Sequence, residues 1–199
     1  VTSEDVLADR LGEAVLWARD QPELLERHGL PVPTPRHTKR VLEGYVGRWT
    51  DFGSPAQGAA PLGTLLGLDR IVSEGARFRF AEHGELGEIV VIQPVSETGR
   101  LWDRELVDLV AWHPARPRRW WLLDGLAEHL GPWPEDGEAR LVETPLAWVR
   151  DPEALCVLNF GRLGRLLELS RIVVPDRDFG IRVYDALREL ALPNIEVAA

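Results

Sequence analysis

Two apolar runs in this chain end on carboxylates in a way that could assemble a magnesium site. Residues 171–180, Arg-Ile-Val-Val-Pro-Asp-Arg-Asp-Phe-Gly, close one run on Asp176 and Asp178 and lead directly into a helical pattern. Residues 139–143, Ala-Arg-Leu-Val-Glu, close another on Glu143. In a parallel sheet, ligands bind outside the carboxyl ends of the strands, along one rim, so three acids far apart in sequence can meet there. Magnesium suits them because it takes hard oxygen ligands, keeps several waters and borrows phosphate oxygens from a substrate. Manganese would substitute for it. Asp176 and Asp178, two apart on extended backbone, point the same way. The plainer alternative makes them turn residues, with Asp178 or Phe179 capping the next helix. Likewise Glu143, just ahead of Thr144-Pro145, could serve only to complement a helix dipole.

A second constellation mixes cations with aromatic rings. Arg116, Arg118, Arg119 and Trp120, flanked by Trp112 and Trp121, form the combination that stacks and holds single strands, and they are the candidate nucleic-acid-binding residues. The alternative is a hairpin whose tryptophans pack into a core while its arginines face water. Arg36, His37, Lys39 and Arg40 make another basic cluster, with a solvated face as its alternative. Five histidines without ligand spacing and the single Cys156 build no zinc site. Cys156 reads as a core residue in a strand, and no serine-centred elbow or histidine–acid pattern supports hydrolase chemistry.

The elements that must position these residues follow from periodicity. The 199-residue chain can bury a sizeable core, as one domain or as two small ones sharing an interface. Residues 1–60 read as a helical segment followed by a proline-rich connector. Val6, Leu7, Leu11, Ala14, Val15 and Ala18 recur at helical spacing after Ser3, and Pro22 opens a shorter helix that ends near Gly29. Residues 61–136 read as a mainly antiparallel β-rich unit with strands at 76–80, 88–92, 106–112 and 120–123. The turn 114–117 separates the last two. Residues 137–199 alternate as βαβαβαβ, which predicts a parallel sheet with right-handed crossovers. Strands fall at 141–142, 154–158, 171–174 and 195–197, with helices from Thr144-Pro145, over 161–169 and over 180–190. The fold class is therefore α+β or α/β.

The net charge of −9 argues against non-specific nucleic-acid binding through bulk field. No apolar run approaches the roughly 18–20 residues that span a bilayer, so no membrane association is expected. One cysteine and an acidic start without a signal pattern fit a reducing cytoplasm.

Glu143 at one strand end, followed by a second strand and then a strand ending in Asp176-Arg177-Asp178 with Gly180 and a helix, resembles the Toprim domain of bacterial and phage DNA primases, topoisomerases and some nucleases. The resemblance covers residues 139–199, and the segment 88–100 is similar to one found upstream of this domain in such primases. It implies phage- or plasmid-type replication chemistry: magnesium-dependent phosphoryl transfer on DNA or RNA, with Asp176 and Asp178 holding the ion and Glu143 carrying a proton or binding a second ion. The chain departs from the pattern at Thr144, where the family has glycine. A second implied role is therefore a non-catalytic Toprim-fold scaffold, serving a replication complex or another protein partner.

Overall fold

The computed structural model describes residues 10, 13–14, 17–18, 20–30, 66–81, 88–96, 106–162 and 164–191. The basic cluster at residues 36–40 and the final strand expected at 195–197 lie outside them, as do most of the first helical segment and the connector. Within the first segment, residues 10, 13, 14, 17 and 18 are helical, and α1 (Pro22–Arg27) follows with its proline in the first turn.

The strands β1 (Gly67–Glu74), β2 (Arg77–Phe80), β3 (Glu88–Ser96), β4 (Leu106–His113) and β5 (Arg116–Leu122) close into a barrel in the order β1-β2-β5-β4-β3. Every pairing is antiparallel except β2 with β5, where Arg77 meets Leu122 in parallel. Strand β1 carries no clean alternation, which is why periodicity passes over it. Strand β4 reads as a continuous apolar run because it is covered on both sides, with Asp108, Leu109, Val110, Ala111 and Trp112 all buried.

Beyond the barrel, β6 (His129–Leu130), β7 (Glu138–Val142), β8 (Leu155–Val157) and β9 (Arg171–Val173) form a second sheet in the order β6-β8-β7-β9. The β7/β8 and β7/β9 pairs are parallel, as the alternating pattern predicts, but β6 joins β8 antiparallel, so the sheet is mixed. Thr144 caps α2 (Pro145–Arg150) by accepting from Ala147 N at 3.1 Å, and Pro145 occupies the first turn. Two short 3-10 helices, Phe160–Arg162 and Gly164–Glu168, stand where one α-helix is expected over 161–169. The α3 helix (Arg177–Ala191) begins three residues earlier than its apolar face suggests.

Period-two alternation sends this sheet's side chains to different cores. Ala139, Leu141, Leu155 and Val157 pack with Leu166, Phe179 and Val183 beneath α3. On the opposite face, Cys156, Leu158 and Leu130 join Trp148 of α2 in the barrel's own core with Leu109, Trp112 and Trp121. Residues on either side of position 136 thus share one buried cluster.

The chain leaving β5 is held by the buried Asp108. Its Oδ1 accepts from the backbone of Leu109 (2.8 Å), Leu123 (3.1 Å) and Asp124 (3.0 Å), and its Oδ2 from Leu126 (2.8 Å) and Ala127 (3.2 Å). Burial and the neighbouring Asp108 raise the Asp124 carboxyl above its usual range, against the pull of Arg77. Just after this loop, His129 is buried and its Nδ1 donates to the carbonyl of Gly131 at 3.1 Å. Its ring meets Trp133 at 5.6 Å between centroids, and the Arg165 guanidinium covers the Trp133 ring at 4.3 Å.

Asp108→Asn replaces one of the accepting oxygens with a donor and takes the carboxylate partner from at least two backbone N–H groups. It is expected to cost about 3 kcal/mol, read by urea denaturation; an unchanged midpoint would refute the anchoring role. Burial, aided by the charge of Arg165, lowers the His129 pKa below 6.5 although its backbone hydrogen bonds oppose the shift. Between the folded and unfolded values the unfolded chain binds the extra proton, so this contribution is complete above the unfolded pKa and is lost as pH falls through the folded one. The gap in melting temperature between the native chain and His129→Gln should therefore narrow from about pH 7.5 toward pH 5, starting near the unfolded histidine value.

Candidate functional site

Glu143 immediately follows β7 at its carboxyl end, and β9 lies beside β7 in parallel. The pairs Glu138↔Arg171, Ala139↔Ile172 and Arg140↔Val173 set their register, and Asp176 comes three residues after the last of them. Both acids therefore stand at the rim where α2 and α3 begin.

Asp176 is the cap of α3. Its Oδ1 accepts from Phe179 N at 2.8 Å and its carbonyl from Gly180 N at 3.1 Å. The expected cap was Asp178 or Phe179; the cap falls earlier because Asp176 reaches the backbone N–H three residues on, and this starts the helix at Arg177. Asp178 lies exposed in the first turn, where its charge complements the helix dipole. Gly180 lets that turn sit close to the strand end, since a Cβ there would come within 3.1 Å of Val174 Cγ2.

Glu143 is paired twice. Its Oε2 accepts from Arg118 Nη2 at 2.8 Å, and its Oε1 accepts from Arg182 Nη2. Arg182 projects from α3 with its guanidinium over the Phe179 ring at 5.5 Å. Arg118 reaches Glu143 from the barrel because β5 is irregular there. Trp112 pairs with Trp120 and His113 with Arg116, so Pro117, Arg118 and Arg119 have no counterparts on β4. Such bulges re-aim side chains, and proline is tolerated at them.

No protein-family model, curated protein or solved structure matches this chain. The chemistry of the rim is accordingly read from its own residues. The expected nucleic-acid residues divide by burial. Trp112 and Trp121 are core, Trp120 is half-buried with Nε1 donating to the Leu158 carbonyl at 3.4 Å, and Arg116, Arg118 and Arg119 are exposed on the hairpin. Arg119 lies over the Trp121 ring at 4.9 Å. Stacking of bases on Trp112 or Trp121 would require their core to open. Cys156 is fully buried beneath the rim, and burial first, then the charge of Glu143, push its thiol strongly up, disfavouring the thiolate.

The donor set bears on the magnesium expectation. Both oxygens of Glu143 hold arginines and one oxygen of Asp176 holds the helix cap. Among the described residues, no three His, Cys, Asp or Glu side chains form a group able to hold an ion. Asp176 and Asp178 are expected to point the same way from extended backbone, but the strand ends at Val173 and Asp178 lies within the helix, where residues two apart do not share a face. Sequence reading misses Arg182; its position four residues after Asp178, on the same helix face, is the signal that could have found it.

Capping and ion binding at Asp176 separate by substitution. Asparagine caps as well as aspartate does, whereas alanine forfeits the cap at about 1 kcal/mol. Thermal unfolding should leave Asp176→Asn close to the native chain and lower the melting temperature of Asp176→Ala.

Proposed function

We propose that this chain is a cytoplasmic Toprim-like nucleic-acid-processing protein related to phage- or plasmid-type primases, carrying out magnesium-dependent phosphoryl transfer on DNA or RNA. The observation that supports this reading is that Glu143 directly follows β7, and Asp176 follows its parallel neighbour β9, each just ahead of a helix. Asp176 and Asp178 would hold magnesium, which when bound orients phosphate and neutralises its charge. Glu143, once released from its arginines, would take or give a proton at the reacting hydroxyl. Arg118 and Arg182 would hold phosphate oxygens in planar forks. Arg116, Arg119 and the exposed part of Trp120 would extend contact along a strand.

A second reading, a non-catalytic Toprim-fold scaffold for a replication complex or another protein partner, is favoured by the two ion pairs that neutralise Glu143. It is favoured too by Thr144, whose side chain is committed to capping α2. Among the described residues, no helix is long and apolar enough to cross a membrane.

Calorimetric titration of manganese or magnesium, with and without an oligonucleotide, decides between the two. The enzyme reading expects metal binding to weaken by about a hundredfold in Asp176→Asn and Asp178→Asn, with primer synthesis or nicking falling in parallel. Absence of metal binding by the intact chain under both conditions would leave the scaffold reading.

A further inference from the structure

We propose that Arg118 and Arg182 form a phosphate-binding fork, and that Glu143 occupies it as an internal anion that an incoming nucleic-acid or nucleotide phosphate displaces. This rests on the reading of the rim as a phosphoryl-transfer site, and it adds a latch to that site. Three observations carry it.

The first is the pairing geometry. The two carboxylate oxygens of Glu143 are taken by different arginines from different parts of the fold, one on the bulge of β5 and one on α3. Two oxygens on one centre, each held by a guanidinium, is how a phosphate group would sit between the same two side chains.

The second is access. The Glu143 side chain is only 19% exposed, whereas Arg118 is 71% and Arg182 is 50% exposed. Each guanidinium has five N–H donors and places one terminal nitrogen on Glu143. Both arginines can therefore be reached by an anion from solvent.

The third is support. Arg182 is held over the Phe179 ring, and Phe179 is buried beneath α3, so this arm stays at the rim when its anion changes. Arg118 is carried on the bulge around Pro117, where the restricted proline backbone limits its wandering. When phosphate displaces the carboxylate, Glu143 becomes available at the carboxyl end of β7, so substrate arrival and exposure of this acid are one event.

An inert staple between the barrel and the second sheet would use the same contacts, and binding measurements separate the two. Fluorescence anisotropy of a labelled single-stranded DNA, in chelator so that no metal contributes, is measured for the full chain and its variants. A nucleoside triphosphate competitor is run as a second arm. Glu143→Gln should bind one or both probes about three- to tenfold more tightly than the native chain. The gain should vanish when Arg118→Ala and Arg182→Ala are added, and the salt slope for the single strand should fall by about 1.4, at ~0.7 per lost phosphate contact. The oligonucleotide arm reports backbone phosphate and the triphosphate arm reports nucleotide. A folded Glu143→Gln that binds both probes no better than the native chain overturns the latch. If Asp176→Asn and Asp178→Asn still abolish metal-supported activity in that case, the latch alone falls. If neither the native chain nor Glu143→Gln binds either probe, the nucleic-acid reading falls with it.

Discussion

The fold turns on one buried side chain. Asp108 sits mid-strand in β4, where alternation leaves no exposed face, and its two oxygens gather the backbone of residues 109, 123, 124, 126 and 127. Backbone N–H groups need partners, and those of this partly covered loop find them in a single carboxyl group where the barrel exit has no strand to pair with. The loop thereby acquires one conformation, and with it the second sheet acquires one position against the barrel. The contact of Arg118 with Glu143 depends on this, since its two ends belong to the two sheets and lie 25 positions apart in sequence.

Local sequence spoke clearly wherever a single side chain decides a single backbone event. Thr144-Pro145 announces a helix start, and the structure caps α2 with that threonine. The run at 106–112 reads as a strand because both of its faces are covered. Where several weak preferences compete, sequence was a poor guide. Gly161 and Gly164 dilute helix propensity over 161–169, so the segment breaks into two 3-10 turns instead of one α-helix. Strand β6 is two residues long and exists only because it pairs with β8, a long-range contact that no local pattern encodes. Its antiparallel sense makes mixed a sheet whose three longer strands alone would be parallel.

The candidate site was legible in its acids and hidden in its bases. Asp176, Asp178 and Glu143 stand at ends of apolar runs, and strand ends are visible in composition. Arg118 and Arg182 meet Glu143 only through a bulge and a helix start, both set by tertiary structure. Asp108 was hidden for the same reason: inside an apolar run it has no feature that distinguishes an anchor from a surface-facing acid. Asp176 shows how one residue supports two descriptions. Helix capping accounts for its position, and a cap uses only one of its two oxygens.

Charge balance connects these descriptions. Glu143 is largely covered by protein, and a covered charge requires a partner of opposite sign. In a chain of net charge −9, that compensation must be local. Arg118 and Arg182 supply it here. The paired state of Glu143 fits an active rim at rest and an inert one alike. What distinguishes them is whether the arginines have a better anion to hold. A phosphate carries charge on more oxygens than a carboxylate and suits the same planar forks, so if this rim meets nucleic acid at all, exchange of anion at these arginines is the step that chemistry favours first.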